Sequence, residues 1–362
     1  MKFKESTFCI SDINFQIIIN ENYYDEICEY MKKSINYSNK NCTNDFEKNI
    51  YYAIDSVRYR EIAEKIGKNQ LSEKIEYFKD EYCYRYYYND FLWLVEENNE
   101  WIIKVCEEKI CIYTSEKNPS IDIYLLRILR SIAYGYNEDM NMILLHGAAL
   151  AYNNKGFVII GEKGSGKTSL LMRMVKNKAI LISNDRIFTD RNLSIIGFPQ
   201  AVRVGLGTFE NDKRMLDYFS KNTFLRKQDR IDCSGFKYLI TMDEIGRIYD
   251  TSSIMKHRLD YVIIPDVKID SNELNMELIV DNKKKKQIFD KICFTPIDES
   301  FRYSWIYDSN ITIEKKIENR KIIWEKLKNK DFIKVSYGTE LESKNIVDKI
   351  MIFVNQIEEK KN

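Results

Sequence analysis

The spacing of apolar residues in the first third of the chain predicts an α+β module. CISDINFQIII (9–19) has the composition of a strand, and YREIAEKIGKNQLSEKIEYF (59–78) has helical spacing in part. EYCYRYYY (81–88) alternates as a strand does. FLWLVE and EWIIKV flank the turn residues ENNE (97–100) and predict a hairpin, which the strand KICIYTS follows. Residues 1–117 therefore form the first predicted domain.

One face of the EYCYRYYY strand is predicted to consist of tyrosines, namely Tyr82, Tyr84, Tyr86 and Tyr88. Such a ladder can stack the bases of a single-stranded nucleic acid. Packing between the side chains of neighbouring strands produces the same pattern. The second interpretation is simpler, because it requires no ligand.

A long helix is predicted to connect this module to the rest of the chain. Asn118 suits the N-cap position, Pro119 suits the first helical position, and Gly135 suits the C-terminal stop. One apolar stripe runs along the helix and is formed by Ile121, Tyr124, Leu125, Ile128, Leu129 and Ile132. The helix begins the second predicted domain, residues 118–362.

From residue 142 the pattern is rich in strands. MILLHGAALAY (142–152), the turn NNKG and FVII (157–160) predict a hairpin whose second strand enters a glycine-rich stretch. AILIS (179–183) predicts a buried strand that ends at Asn184 and Asp185, and RIFTD and LSIIG predict a further hairpin. Near the C-terminus a helix has a stripe of period 3.6 that consists of Ile346, Val347, Ile350, Phe353, Val354 and Ile357.

The overall charge makes nucleic acid a poor candidate for the partner. The chain has 56 basic and 55 acidic residues, a formal net charge of +1. Such a balance provides no long-range field to hold a polyanion. The run KKKK (283–286) is the exception, and its position beside Asp281 predicts a solvated helix start or turn.

The cysteines and the first residues indicate the compartment. None of the 8 cysteines forms a CxxC pair, and 2 histidines are too few to favour a zinc site. The first residues, MKFKESTFCISDINF, contain no apolar signal region, and no apolar run in the sequence reaches the ~18 residues that cross a bilayer. We therefore expect a cytoplasmic protein with reduced thiols and no membrane partner.

The stretch GEKGSGKT (161–168) carries the most specific chemistry in the sequence. Gly161, Gly166, Lys167 and Thr168 satisfy the P-loop pattern G-x-x-x-x-G-K-[ST]. In such a loop the glycines and the amides of Gly164, Ser165 and Ser169 surround phosphate at the positive end of a helix. The lysine reaches the β- and γ-phosphates, and the threonine hydroxyl can ligate Mg²⁺. The sequence therefore predicts a site for ATP or GTP with Mg²⁺.

Several stretches together resemble the C-terminal domain of HPr kinase/phosphorylase and its relatives, some of which phosphorylate precursor peptides in peptide-biosynthesis clusters. The matching stretches are His146-Gly147 on the leading strand, GEKGSGKT, AILIS with Asn184-Asp185, and GFP (197–199) followed by Arg203. The resemblance covers roughly residues 120–270. It implies an α/β (α+β) protein whose P-loop domain has a mixed sheet related to phosphoenolpyruvate carboxykinase, preceded by the smaller α+β module.

The resemblance also implies roles for individual residues. Asp185 would be the base that accepts the proton of the acceptor hydroxyl, or a ligand of Mg²⁺ together with Thr168. His146 would orient the carboxylate, and Arg203 would contact the transferred phosphoryl group or the peptide. Arg258 is a further, weaker candidate for such a contact.

Two departures from the family pattern concern the acceptor. The family has two adjacent acidic residues after the strand, whereas the first is Asn184 here. The signature of HPr kinase itself contains a glutamate before an arginine, and AVRVG (201–205) has none. Both departures argue against HPr as the substrate.

The sequence thus predicts an ATP-dependent kinase of a serine or threonine in a peptide or protein, with residues 1–117 recognising the substrate or a partner. The alternatives are a nucleotide sensor without turnover, which Asn184 favours, and a kinase of a small metabolite. The sequence leaves the oligomeric state open, and the hexameric HPr kinases offer a homo-oligomer only as an analogy.

Overall fold

The structure is a computed structural model that describes residues 2–10, 13–34, 47–66, 73–78, 81–98, 100–107, 109–116, 119–208, 212–221, 237–296, 306–307 and 309–361. The chain divides into two compact units, of which the first comprises Met1–Met140 with Ile297–Thr312 and the second Asn141–Pro296 with Ile313–Asn362. The described residues form helices and mixed sheets, which make up an α/β (α+β) fold. The predicted fold class is therefore confirmed.

The first unit is built on one mixed sheet. Its helices are α1 (Glu21–Ser34), α2 (Ser56–Ile66) and α3 (Pro119–Asp139). Its strands are β1 (Phe3–Ile10), β2 (Ile13–Asn20), β3 (Glu47–Ile54), β4 (Glu73–Phe78), β5 (Glu81–Tyr88), β6 (Phe91–Glu96), β7 (Ile102–Val105) and β8 (Lys109–Thr114). The strand order is β1-β2-β3-β8-β7-β6-β5-β4, with β3 parallel to both β2 and β8 and the other pairs antiparallel.

Most of the strands predicted in this unit are confirmed, and one is corrected. The hairpin of FLWLVE and EWIIKV is the antiparallel pair β6–β7, and KICIYTS contains β8. CISDINFQIII does not form one strand: it supplies the end of β1 and most of β2, which pair as an antiparallel hairpin. The apolar positions of both strands face a core. The apolar pattern in the sequence therefore continues from the first strand into the second.

The tyrosines of β5 pair across the sheet. Tyr86 lies opposite Trp93 and Tyr84 opposite Val95. Tyr86 is buried in an apolar cluster that includes Val95. These contacts support the packing interpretation of the tyrosine face.

The helix α3 is longer than predicted. It begins at Pro119 as expected, but it continues through Gly135 to Asp139, so the prediction of Gly135 as the stop is wrong. A Cβ at Gly135 would lie 2.1 Å from Cδ1 of Tyr307, which shows that the glycine makes room for this ring. The predicted cap Asn118 and the side chains of Ile121 and Tyr124 lie outside the described part.

The predicted domain boundary after residue 117 differs from the division between the two units. Helix α3 clusters with the first unit, where it contacts α1. Asp139 at its end accepts hydrogen bonds from Tyr307, Ser309 and the amide of Asn310, which belong to the same unit. The packing of its buried face thus places the helix before the division rather than after it.

The second unit contains the glycine-rich stretch. Its helices are α4 (Lys167–Lys176), α5 (Lys213–Lys221), α6 (Met242–Tyr249), α7 (Asn282–Ile292), α8 (Ile313–Leu327) and α9 (Ser343–Glu359). Its strands are β9 (Ile143–His146), β10 (Ala148–Tyr152), β11 (Lys155–Ile159), β12 (Ile180–Ser183), β13 (Arg186–Thr189), β14 (Ser194–Gly197), β15 (Val202–Gly205), β16 (Lys237–Ile240), β17 (Lys256–Arg258), β18 (Tyr261–Lys268), β19 (Leu274–Ile279) and β20 (Asp331–Gly338).

The described residues of this unit form three sheets. The largest has the order β12-β10-β11-β18-β20-β19, in which β18 is parallel to β11 and β20 and the other pairs are antiparallel. A second sheet has the order β17-β14-β13-β9, and a third consists of the pair β15-β16. The predicted hairpin before the glycine loop is confirmed as β10–β11, and RIFTD and LSIIG form the hairpin β13–β14.

The run MILLHGAALAY forms two strands in two sheets, not the single predicted strand. Gly147 separates β9, which pairs with β13, from β10, which pairs with β11 and β12. A Cβ at Gly147 would lie 2.8 Å from the carbonyl oxygen of Ile159, so a glycine is required for the chain to pass from one sheet to the other. This change of sheet places His146 beside β13.

The lysine run begins helix α7, as predicted, with Asp281 as the N-cap. One of its members is not solvated, however. Lys285 is 8% exposed, and its Nζ donates hydrogen bonds of 2.9 Å to the carbonyl oxygens of both Lys328 and Lys330. Its side chain therefore satisfies carbonyl groups that follow the end of α8.

The thiols and the helices can be compared with the expectation of a cytoplasmic protein that has reduced thiols. Cys28, Cys83, Cys106 and Cys111 have free thiols, but Cys9 is disulfide-bonded, so the expectation of reduced thiols throughout is wrong. The spacing of cysteines alone does not reveal such pairings. Within the described ranges, no helix is both long and apolar enough to cross a membrane.

Candidate functional site

The glycine-rich stretch connects the end of β11 to the start of α4. Gly164 and Gly166 have φ of +85° and +96°, a region that side chains with a Cβ rarely adopt. A Cβ at Gly166 would also lie 2.8 Å from the hydroxyl of Tyr337 and 3.0 Å from Cβ of Val267. The Tyr337 hydroxyl donates a hydrogen bond to the Gly166 carbonyl at 3.1 Å. The loop is therefore supported by β20, the strand that carries Tyr337.

The first turn of α4 is electrostatically prepared for an anion. Gly166 is its N-cap and makes no side-chain capping bond, and the first turn contains no acidic residue. The hydroxyl of Ser165 is buried and has no hydrogen-bond partner within the described part of the chain. The positive end of the helix dipole and the amides of its first turn are thus directed at the loop without an acidic neighbour on the helix.

Lys167 bends back over the loop. Its Nζ donates to the carbonyl oxygens of Gly161 at 2.7 Å and Glu162 at 3.0 Å. Burial lowers the pKa of this ammonium group, and the Asp185 carboxylate opposes that shift. The lysine is therefore a half-buried cation held at the concave side of the loop.

The hydroxyls that follow Lys167 have different neighbours. The Oγ1 of Thr168 lies 3.5 Å from Oδ1 of Asn184, at the limit of a hydrogen bond. Ser169 forms a side-chain hydrogen bond with Tyr337. Thr168 is therefore the hydroxyl that faces the end of β12, whereas Ser169 is directed at β20.

Asp185 lies in the tight connection between β12 and β13. The buried hydroxyl of Ser183 is within hydrogen-bond distance of the carbonyl oxygens of Arg186 (2.6 Å) and Phe198 (3.0 Å), and the amide of Gly147 donates to the Asp185 carbonyl at 3.2 Å. These bonds fix the backbone from which the Asp185 carboxylate projects.

Arg186 joins Asp185 to His146. Its Nη1 lies 2.9 Å from Oδ2 of Asp185 and 2.6 Å from Nδ1 of His146. The separation of His146 Nδ1 and Asp185 Oδ1 is 3.7 Å, which is longer than a hydrogen bond. His146 thus contacts the carboxylate through the guanidinium, whose Cζ lies 5.2 Å from the centre of the Phe294 ring.

His146 is neutral in this arrangement. A guanidinium group can only donate hydrogen bonds, so Nδ1 of His146 accepts one and the ring proton resides on Nε2. The pKa of His146 is lowered to about 4, chiefly by burial and also by the cations Arg186 and Lys167, while the Asp185 carboxylate opposes the shift. At neutral pH the imidazole cannot form an ion pair with Asp185.

We expect the titration of His146 to show this environment. The chain has 2 histidines, so NMR of the His257→Gln variant reports on His146 alone. Its midpoint should lie near 4, and Arg186→Met should raise it, because a neighbouring cation is removed while Asp185 remains. A midpoint at or above 6.5 in the His257→Gln variant, which retains Arg186, would contradict the hydrogen bond from Arg186 to His146.

The same shift makes folding stability depend on pH. The unfolded state takes up the proton near pH 6.5, whereas the folded state resists it until about pH 4. The contribution of His146 to stability is therefore present above pH 6.5 and is lost as the pH falls toward 4.

The two other predicted cations lie on other strands. Arg203 is on β15, opposite Leu239, and its side chain is exposed. Arg258, in β17, pairs with Asp260 at 2.8 Å and is 73% exposed on its side chain. Of the predicted catalytic residues, the structure thus brings His146 and Asp185 together, while the roles of Arg203 and Arg258 remain predictions.

The glycine of the GFP stretch has a structural explanation. A Cβ at Gly197 would lie 2.1 Å from the carbonyl oxygen of Ile182, so the glycine permits β14 to approach β12. This close approach brings the Phe198 carbonyl to Ser183, and it does not depend on a ligand.

The residues present fit a nucleotide with its magnesium ion. The loop has a left-handed glycine with open space beside it at Gly164, a buried hydroxyl at Ser165 that has no hydrogen-bond partner among the described residues, and a cation at Lys167. In the described part of the chain no three His, Cys, Asp or Glu side chains cluster as metal ligands. Magnesium does not require such a cluster, since it usually takes one or two protein ligands with phosphate and water.

Two contributors to the site were missed at the sequence level. Arg186 follows Asp185 directly, so the sequence itself placed a cation beside the carboxylate at the end of the strand. Tyr337 is distant in sequence from the loop, and no local pattern connects the two residues.

The comparisons with known proteins give a match among solved structures. No family model and no curated protein matches the chain. Among solved structures it is similar to the Hpr(Ser) kinase/phosphatase from Coxiella burnetii, at 14% identity over 38% of this chain and 72% of that chain, with a TM-score of 0.20.

Proposed function

We propose that the protein is a P-loop phosphotransferase that uses ATP or GTP with Mg²⁺ to phosphorylate a serine or threonine of a peptide or protein. The observation that supports this most strongly is the arrangement of the loop and β12. The cation Lys167 and the hydroxyl of Thr168 lie at the same end of the sheet as Asn184 and Asp185. A phosphoryl-transfer site needs these parts: a phosphate cradle, a metal ligand, a group at the nucleophile and a cation.

In this proposal each residue has a distinct task. The loop amides from Gly164 to Ser169 and the Lys167 ammonium hold the phosphates. The Thr168 hydroxyl ligates the metal ion, and Asp185 either completes its ligand set or accepts the proton of the acceptor hydroxyl. Because Asn184 is the residue next to Thr168, we favour the second role for Asp185.

Arg186 acts through Asp185 in this proposal. Its bonds to Asp185 and His146 fix the direction of the carboxylate. The guanidinium also forms a charge-assisted hydrogen bond with the carboxylate, which holds it in one orientation. His146 is a neutral support for the guanidinium rather than a proton carrier.

A second candidate is a nucleotide sensor without turnover. The observation that favours it is the amide at Asn184, which offers Thr168 a neutral neighbour where a carboxylate would strengthen metal binding. Both candidates require nucleotide binding, and only the first requires transfer. A small metabolite as the acceptor is a variant of the first candidate.

The proposal is tested first by calorimetry with ATP, GTP and Mg²⁺. Lys167→Ala removes the cation of the cradle, and we expect affinity to fall at least about tenfold, which corresponds to ~1.4 kcal/mol. Lys291→Ala is the matched control, because Lys291 forms an exposed ion pair with Glu162 of the same loop and such pairs contribute little. Equal affinities for wild type and Lys167→Ala would refute the P-loop assignment.

A further inference from the structure

The first unit contains a cleft between helix α2 and the sheet. Its volume is about 660 Å³, which is within the range of ligand sites. One wall is the face of α2 that carries Arg58, Ile62 and Lys65, and the other includes Trp93 of β6 and Lys104 of β7. The helix therefore covers part of the sheet and leaves a space beside it.

Aromatic rings and cations alternate around this cleft. The Arg58 guanidinium lies 5.3 Å from the centre of the Tyr113 ring. The Lys104 ammonium lies 5.4 Å from the centre of the Trp93 ring. A cation held over a ring is positioned and partly desolvated, so it meets an anionic ligand at a lower cost in side-chain entropy.

The charge of the cleft is not neutralised from within. Arg58, Lys65 and Lys104 have no carboxylate within ion-pair distance among the described residues. Of the two acids that line the cleft, Asp55 accepts hydrogen bonds from the amides of Val57 and Arg58 and caps α2. Three cations against two acids leave the cleft positive, and one of the acids is already committed.

Apolar side chains at the rim are exposed. Val57 is 60% exposed and Tyr88 36% exposed, and both line the cleft. Tyr87, the neighbour of Tyr88, is 65% exposed. Exposed apolar groups that surround a charged cleft are typical of a surface that a partner covers.

We propose that this cleft binds an acidic peptide segment that carries an aromatic or aliphatic side chain. The cations hold the acidic side chains, and the apolar residues of α2 with the aromatic rings of the sheet hold the anchor. A nucleotide is disfavoured, because the N-terminus of α2 is occupied by the anionic Asp55, which would repel phosphate.

That this segment belongs to the phosphorylated substrate rests on the proposed function. The binding of an acidic peptide to the cleft does not rest on it. Peptide binding at the cleft requires no nucleotide and no Lys167. The two hypotheses can therefore fail separately.

The test follows Trp93 fluorescence in the full chain without nucleotide. The probes are the peptides acetyl-EEFEELEE-amide, acetyl-KKFKKLKK-amide and acetyl-EESEESEE-amide, which contain no tryptophan. We expect saturable binding of the first peptide, weaker binding of the third and none of the second, with affinity falling as salt is raised. The Trp93→Phe variant should lose the fluorescence change.

Variants then locate the site. Arg58→Gln with Lys104→Gln should weaken binding of the first peptide at least about tenfold. Arg60→Gln is the matched control, since Arg60 is an exposed cation of the same helix that does not line the cleft. Lys167→Ala should bind the peptide as wild type does, even where it has lost nucleotide.

Three results would overturn the proposal. The first is binding of the basic peptide as tightly as the acidic one, and the second is unchanged affinity in the double variant. The third is a change in Trp93 fluorescence when ATP alone is added to Lys167→Ala, if that change disappears once Arg58→Gln and Lys104→Gln are also introduced. Such a result would identify the cleft as a nucleotide site instead. If peptides become phosphorylated without any binding at the cleft, the docking proposal falls and the proposed function stands.

Discussion

Replacing Asp185 by asparagine is expected to abolish phosphoryl transfer while leaving nucleotide binding largely intact. The carboxylate projects from the fixed turn between β12 and β13 and is held by Arg186. A positioned base typically contributes ~10²–10⁴-fold to rate, and an amide cannot accept the proton. Lys167 and the loop amides remain in the variant, so the cradle for the phosphates is preserved. The measurement is mass-spectrometric detection of the added phosphoryl group on peptides incubated with ATP and Mg²⁺.

The control for this variant is Asp217→Asn, which changes an exposed carboxylate of α5. Asn184→Asp should not reduce transfer, since it places a carboxylate beside Thr168. If wild type transfers no phosphoryl group to any acceptor but Asn184→Asp does, the natural protein is the sensor and not the kinase. Full transfer activity in Asp185→Asn would show that another residue is the base.

The second large effect is expected at Gly166. Gly166→Ala places a side chain at φ +96°, with its Cβ 2.8 Å from the Tyr337 hydroxyl and 3.0 Å from Val267. The backbone strain costs about 1–3 kcal/mol, and the overpacking adds about 1–3 kcal/mol. We expect a lower Tm and a loss of nucleotide affinity, because the loop can relieve the contact only by moving away from β20.

Gly164→Ala separates the two causes. Gly164 has φ of +85°, but a Cβ there would have nothing within 4 Å, so this variant carries the backbone strain without the overpacking. We expect its loss of stability to be smaller by about 1–3 kcal/mol. In addition, Tyr337→Phe should offset part of the Gly166→Ala effect in a double-mutant cycle. Equal losses for both glycine variants would show that β20 does not support the loop.

The parts of the fold that the sequence predicted well depend on local patterns. The hairpin β10–β11, the strand β12, the loop and the stripe of α9 follow from the spacing of apolar residues and glycines over short distances. The local patterns also placed Lys167 and Asp185 at the ends of the correct elements.

The errors occurred where distant contacts override a local pattern. Gly135 is a plausible helix stop, but the ring of Tyr307 requires a glycine within the helix. A single apolar run spans β9 and β10 because both strands are buried, and the chain passes from one sheet to the other at Gly147, where a Cβ would lie 2.8 Å from the carbonyl oxygen of Ile159. Lys285 belongs to a basic run, yet its ammonium group satisfies carbonyls of a distant helix end.

The strand order of the large sheet has a consequence for biosynthesis. The strand before the loop, β11, pairs with β18, where Phe157 lies opposite Tyr261. β18 in turn pairs with β20, where Tyr261 lies opposite Asp331. Parallel pairings between segments so far apart in sequence form slowly, because a long connecting chain must first be closed. On the ribosome, the loop therefore emerges long before its support at Tyr337 does, and nascent chains that end before β20 should expose the edge of β18 to aggregation and to chaperones.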